Sequence, residues 1–250
     1  MKIALIGFGR MGKTIANLAR EHGIEVVAAI DPSAEGATHK EINRESIGNA
    51  EVCIDFSQPE TVVGNIEKIA SLKKNLVVGT TGWYDKLDGA QKIVEKSGIG
   101  LIYASNFSIG VNVFFKIVEN AASIMNNLTE YDVFCLEMHH KNKKDSPSGT
   151  AKSIESLLLE KIGRKKKAVE EKLNREIAGN EMHVASVRGG SVPGTHSVFF
   201  DSSADTIELK HTARNRNGFA LGALQAAKWI KGKKGFYSIN DMVKELTKDG

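Results

Sequence analysis

Cysteine is scarce in this chain of 250 residues, with only Cys53 and Cys135 present. Each sits in an apolar stretch, and no paired spacing links them, which excludes a disulfide scaffold, a zinc knuckle and a redox motif. Both read as buried thiols in a reducing compartment. Long hydrophobic runs are also missing: nothing approaches the roughly 18 apolar residues of a membrane span. The stretch Lys2–Gly7 leads into glycines rather than a cleavage site, so a cytoplasmic protein away from membranes is expected. Charge of one sign is in small excess only, 34 basic against 30 acidic residues. So weak a bias suits an anionic small molecule as well as a nucleic acid. No internal repeat and no low-complexity segment occur. What remains is ordinary globular composition, 41% hydrophobic and 26% charged, sized for one or two domains of about 100–200 residues each.

Residues 1–106 alternate short β-branched runs with helical patterns. The runs are Ile3–Ile6, Val26–Ile30, Val52–Phe56, Leu76–Val78 and Ile99–Tyr103; between them lie Thr14–Glu21, Thr61–Leu72 and Lys86–Lys96. Such alternation predicts βαβ units on a doubly wound parallel sheet, a Rossmann-type α/β domain. After Asn106 the pattern changes. A helix over Val111–Met125 precedes a strand ending in Glu137-Met-His-His140, then a polar loop, a helix over Ala151–Ile162, a basic linker Arg164–Lys167, and extended runs at Val184–Arg188, His196–Asp201 and Thr206–His211. Strands with few helices between them predict a smaller α+β domain with a mostly antiparallel sheet. Helical patterns return at Phe219–Ile230 and Ser238–Leu246. The expected division is 1–108 with 217–250 as a dinucleotide-binding domain, and 109–216 as a substrate-binding and oligomerisation domain.

Gly7, Phe8, Gly9, Arg10, Met11 and Gly12 follow a predicted strand and open a helix, and Asp31 ends the next strand, 19 residues after Gly12. That is the dinucleotide fingerprint in its context. The first glycine permits the tight turn, the second lets backbone approach a pyrophosphate, and the third allows close helix–strand packing. The helix start supplies unpaired N–H donors. Asp31 could accept from both ribose hydroxyls and repel a 2′-phosphate, which favours NADH; Arg10, Lys40 and Arg44 are near enough in sequence to tolerate NADPH. Gly79, Thr80 and Thr81, with Ala104, Ser105, Asn106 and Phe107, follow the fourth and fifth strands. There they would meet a nicotinamide and its ribose, or serve only as turns.

The segment Glu137–Ala151 carries two histidines and three lysines ahead of a Ser-Gly-Thr that opens a helix. Histidine can move a proton near neutrality, lysine can donate one or pair with a carboxylate, and the backbone of Ser148, Gly149 and Thr150 can cradle an anion. The alternative is a solvated face with Ser148 as an N-cap. Metal binding by His139 and His140 is disfavoured, because adjacent strand residues point to opposite faces and no third ligand is evident. Nucleic-acid binding lacks interleaved aromatics and a recognised module. Arg188 to His196 either adds Arg188 and His196 to the same pocket or makes a hairpin turn. Arg214 and Arg216 either pair with carboxylates or solvate a linker.

Taken together, the motifs resemble those of the dihydrodipicolinate reductase family, also called 4-hydroxy-tetrahydrodipicolinate reductase, over nearly the whole chain. They are Gly7–Gly12, Val78–Gly82, Asn106–Asn112, Glu137–Ala151, Arg188–His196 and His211–Arg214, and the His–Lys–Pro-Ser-Gly-Thr stretch is the most specific. The resemblance implies NADH- or NADPH-dependent reduction of a cyclic dicarboxylate in lysine and diaminopimelate synthesis, in a homotetramer of hinged two-domain chains. It implies His139 as proton donor and acceptor, Lys143 as proton donor, His140 as a substrate contact, and Gly149 with Thr150 as a carboxylate cradle. Gly7 to Gly12, Asp31, Gly79 to Thr81 and Ala104 to Phe107 correspond to cofactor contacts. Cationic Lys143 and a protonated His139 are expected to stabilise charge developing on the substrate. Two departures are Ser146, where alanine is common, and a shorter segment between Asp31 and Ile47. Aspartate or homoserine dehydrogenases, and a dinucleotide-sensing module, would share the glycines but not the segment 139–150.

Overall fold

The computed structural model describes residues 1–247. Along them run β1 (Lys2–Ile6), α1 (Arg10–Glu21), β2 (Glu25–Ile30), α2 (Arg44–Ile47), β3 (Val52–Asp55), α3 (Val62–Ser71), β4 (Asn75–Val78), α4 (Leu87–Ser97), β5 (Gly100–Tyr103) and α5 (Ile109–Met125). There follow β6 (Asp132–His139), α6 (Gly149–Lys161), β7 (Lys167–Val169), β8 (Glu181–Arg188), β9 (Thr195–Asp201), β10 (Thr206–Thr212), α7 (Asn217–Ile230), β11 (Gly235–Ser238) and α8 (Ile239–Leu246). They form two compact units, Met1–Asn112 with Asn217–Gly250, and Val113–Arg216. The last three positions of the 217–250 span lie outside the described residues.

The first unit holds a six-stranded sheet in the order β11-β5-β4-β3-β1-β2, parallel throughout. Its central strands lack polar alternation because both faces are covered: all four residues of β3 are buried. Strand order reverses between β1 and β3, so the loops after these strands diverge and leave a crevice at their carboxyl ends. Trp83 is fully buried, and its indole Nε1 donates to the Thr80 carbonyl at 2.8 Å.

Helix α2 and strands β7 and β11 are not expected from sequence. Helix α2 has only four residues, too short for a periodicity, and is set by a reciprocal cap between Asn43 and Ser46. Strand β11 is placed by distant partners. Gly235 N donates to Ile99 O at 2.9 Å, while the Asn75 amide donates to the carbonyls of Ile230 and Lys233 at 2.6 and 3.0 Å and accepts from Gly100 N. A Cβ on Gly100 would stand 2.5 Å from Lys233 O, so the chain can pass only over glycine.

The second unit holds a five-stranded sheet in the order β10-β9-β6-β8-β7. It is mixed rather than mostly antiparallel: β9 opposes β10 and β6, but β6, β8 and β7 run parallel. The reason is two returns of the chain, through α6 before β7 and through residues 170–180 before β8, so that β7 and β8 start from the same end as β6. One face is covered by Phe114, Val118 and Ala122 of α5 and Ile154 and Leu158 of α6, packed on Val133, Val184 and Val198. On the other face Phe134 stacks on Phe199 at 4.8 Å and remains 37% exposed.

The expected basic linker at 164–167 is bracing. Arg164 donates to the carbonyls of Met125, Asn126 and Tyr131, and Lys165, 3% exposed, donates to those of Gly179 and Glu181. Both cysteines are buried, and burial pushes their thiols up to about 12, leaving them unreactive.

Candidate active site

In the first unit the glycine loop follows β1. Gly7 has φ +84°, and a Cβ there would meet Phe56 O at 2.4 Å; a Cβ on Gly12 would meet Gly7 O at 2.3 Å. Gly9 has nothing within 4 Å of its Cβ position. It is also the N-cap of α1, where no side chain caps the helix and the first turn carries no acid. The loop is thus closed where it must pack and bare where an anion would lie, which fits the diphosphate of a dinucleotide.

Asp31 is more heavily used than a ribose ligand alone would be. Its Oδ2 accepts from Phe8 N at 2.8 Å, and its Oδ1 from Ser33 N and Ala34 N at 3.0 and 2.8 Å. Partial burial works to raise its pKa, but these backbone donors outweigh it and hold the carboxyl below its ordinary value. The residue therefore pins the glycine loop to the end of β2. Arg44, expected near a 2′-phosphate, lines a cavity with Ile47, Gly48, Leu72 and Lys74, the last two just before β4. That is the opposite end of the sheet from Asp31.

The loops after β3 and β4 are tied by a fully buried carboxylate. Asp55 accepts from Ser57 N and Oγ, from Asn65 Nδ2 at 2.9 Å and from Thr80 Oγ1 at 3.0 Å. Burial raises its pKa despite these donors. Gly79 rests against the Phe56 ring, where a Cβ would come within 2.2 Å. Thr81 is exposed. Beyond β5, Ala104 and Phe107 are buried, Ser105 is exposed, and Asn106 Oδ1 accepts from Ser108 N at 2.8 Å.

In the second unit the chemistry is made by side chains. The alternation of β6 places Glu137 and His139 on its buried face, and Glu137 Oε2 pairs with His139 Nδ1. Glu137 Oε1 accepts from Arg188 Nη2 at 2.7 Å and from Ser148 N at 3.2 Å. The same Arg188 Nη2 donates to Asp145 O at 2.7 Å, and the Asp145 carboxylate pairs with Lys143 Nζ at 2.9 Å. Ser148 Oγ accepts from Ala151 N, capping α6, and pairs with His196 Nε2 at 3.1 Å. Ser148 is an N-cap, as the alternative reading supposes, yet it also joins the histidines to the helix start. Beyond it the N–H groups of Gly149 and Thr150 open α6, and a Cβ on Gly149 would meet nothing within 4 Å.

Burial and the nearby cations Lys143 and Arg188 lower the His139 pKa more than Glu137 raises it. His139 is therefore neutral at neutral pH in the unliganded chain. Burial works to raise Glu137, but Arg188 and its other partners bring the carboxyl below its ordinary value. His196 is pushed down to about 4, chiefly by burial. His140 is half-buried, and its carbonyl accepts from Lys143 N at 3.1 Å. Arg214 and Arg216 are exposed.

Four members of this cluster, Glu137, Ser148, Arg188 and His196, gather here from three strands and a helix cap. Glu137 was findable: an acid two residues before His139 on a strand shares its face. Atoms of Glu137, His139 and His196 lie within 4.8 Å of one another, a set that leaves out His140, so the adjacent histidines do not share it. Arg188 and Lys143 beside the carboxylate oppose a cation there, and the chemistry reads as a proton network.

The two halves of the chain match two family models, "Dihydrodipicolinate reductase, N-terminus" over residues 1–107 and "Dihydrodipicolinate reductase, C-terminus" over residues 110–243. The chain belongs to the dihydrodipicolinate reductase family. It is 39% identical to the 4-hydroxy-tetrahydrodipicolinate reductase of Christiangramia forsetii, covering 100% of both chains, and 37% identical to that of Methanoregula boonei, covering 97% of both. Among solved structures it resembles the dipicolinate-bound dihydrodipicolinate reductase from Paenisporosarcina sp. TG-14, with TM-score 0.79 and 24% identity over 97% of this chain and 99% of that one. That likeness covers the fold of the whole chain.

Proposed function

We propose that this chain reduces 4-hydroxy-tetrahydrodipicolinate, by way of dihydrodipicolinate, to tetrahydrodipicolinate, with NADH or NADPH as reductant, in lysine and diaminopimelate biosynthesis. The observation that carries the reading is the juxtaposition in the second unit: an open helix start at Gly149 and Thr150, suited to a carboxylate, on the same short segment as Lys143 and the Glu137–His139 pair. A sensing module would need the bare glycine loop but none of this.

When bound at the glycine loop, the reduced nicotinamide supplies the hydride. Gly9 and the uncapped start of α1 hold the diphosphate, Asp31 takes the adenosine ribose, and the loops at Gly79 to Thr81 and Ala104 to Phe107 meet the nicotinamide end. The N–H groups of Gly149 and Thr150 hold one substrate carboxylate, and His140 adds a contact to the ring. Lys143 supplies positive charge and a proton where negative charge develops as hydride arrives, an interaction stronger in the transition state than in the ground state. His139, neutral at rest, exchanges a proton through Nε2.

The assembly fitting this unit is a homotetramer in the cytoplasm. Its support is the sheet face that α5 and α6 leave uncovered, with the Phe134–Phe199 stack and Val187, 48% exposed. No helix among the described residues is long and apolar enough to cross a membrane.

Following the loss of NADH absorbance with freshly generated 4-hydroxy-tetrahydrodipicolinate tests the reaction. Turnover that requires both compounds is the expected result. Tight NADH binding with no oxidation would leave the chain a binding module and overturn the reading.

A further inference from the structure

The proton network contains a carboxylate that neither the cradle nor the proton donors account for. Glu137 is 1% exposed and ionised, and it touches three groups of different origin: His139 on its own strand, Arg188 on β8 and the Ser148 amide at the start of α6. A buried carboxylate is costly unless fully hydrogen-bonded, and these partners satisfy both oxygens. As an anion it can only accept, so it requires the hydrogen of the imidazole to sit on Nδ1.

The other ring nitrogen is treated differently. A Cβ on Gly194, whose φ is +153°, would lie 3.0 Å from His139 Nε2. A bare Cα therefore faces that nitrogen, and no hydrogen bond to Nε2 is formed among the described residues. One nitrogen is fixed and the other is left available.

We propose that Glu137 is a positioning residue for the reduction: it holds His139 as the Nδ1–H tautomer with Nε2 free toward Gly194, and through the Ser148 amide it locks the imidazole to the carboxylate cradle at the start of α6. This rests on the proton role given to His139 above. The groups facing the pair are Lys143 and Asp145 on the loop, Arg188 and, directly opposite Glu137, Ser186 on β8, His196 on β9 and Ser148 at the helix cap. Arg188 and Ser148 donate to Glu137, whereas Lys143 and Asp145 make no direct hydrogen bond to it, so a Gln that keeps the oxygen facing Arg188 and Ser148 changes the tautomer and leaves the Arg188 link to Asp145 in place. Glu137→Gln would present an amide that can donate to Nδ1, which moves the ring hydrogen to Nε2 and removes the free lone pair.

The test reads the tautomer directly. Long-range proton–nitrogen NMR of the protein labelled with 15N-histidine, with His139 assigned by a His139→Gln variant, is expected to show the Nδ1–H form at pH 7.5. In Glu137→Gln the signal is expected to move to the Nε2–H form. Over the same change kcat falls by on the order of 10²-fold, with KM for substrate changed less than about threefold and NADH affinity unchanged. An Nε2–H tautomer in the wild-type protein would overturn the proposal, even if Glu137→Gln does not fold. So would an unaltered tautomer and kcat in the variant. The NMR needs no substrate. If wild type shows the Nδ1–H form yet never oxidises NADH with the substrate, the reduction reading fails while the tautomer assignment stands.

Discussion

The two units build their sites in opposite ways. The first works by what is missing: no Cβ at Gly9, no side-chain cap on α1, no acid in its first turn. On the proposed reading anion recognition there is backbone geometry, and the side chains of Asp31 and Asp55 spend their oxygens holding loops. The second works by what is paired: ionisable and hydroxyl side chains and a helix cap share one buried network. Binding can thus be tuned in one unit without disturbing proton chemistry in the other, and the two should fail separately.

The sharpest separation is Lys143→Ala. The variant should lose on the order of 10²–10⁴ in kcat, the span for a positioned acid, while a fluorescence titration returns an unchanged Kd for NADH. A large loss of cofactor binding would erase the contrast between the units.

A second separation is by pH. In the unfolded chain His196 takes up a proton near its ordinary 6.5, but in the folded unit only near about 4. Between these values the unfolded state binds more protons, so stability is full above pH 6.5 and declines as pH falls toward 4, by on the order of 3 kcal/mol. Thermal melts across that window should show the decline, and His196→Gln should flatten it. His139 and His211, also lowered chiefly by burial, add to the same slope.

Gly12→Ala strikes the other unit. The new methyl would stand 2.3 Å from Gly7 O, so the loop must shift. NADH affinity should drop about 30-fold, some 2 kcal/mol, while on the proposed reading thermal stability of the second unit is unchanged. The smallest effect belongs to Asp31→Ala. Because the carboxylate anchors Phe8 N and, on the proposed reading, also takes the ribose, both cofactors should weaken, NADH by about tenfold more than NADPH; equal losses measured side by side would remove Asp31 from the ribose.

The same contrast explains what is legible in the sequence. Glycine spacing is local, and so is the reason for it, so the order of residues along the chain is enough to put 7–9 in the turn after a strand, 10–12 at the start of a helix and 31 at the end of the next strand. His139, Lys143, Gly149 and Thr150 also lie within one segment. Their supporting residues do not: Arg188 and His196 reach Glu137 and Ser148 only because β8 and β9 flank β6. Strand β11 is hidden for the same reason, since its pairing is decided by Ile99 and Asn75. The orientation of β8 depends on the return of the chain through residues 170–180 after β7, which no strand pattern reveals. Arg44 misleads because nearness in sequence is not nearness in space.

The most direct measurement is a structure with NADH and pyridine-2,6-dicarboxylate both bound. One carboxylate should sit about 3 Å from the amides of Gly149 and Thr150, with Lys143 turned to the ring and His139 Nε2 unobstructed. A dicarboxylate bound elsewhere, with residues 139–150 facing open water, would contradict the assignment of this segment.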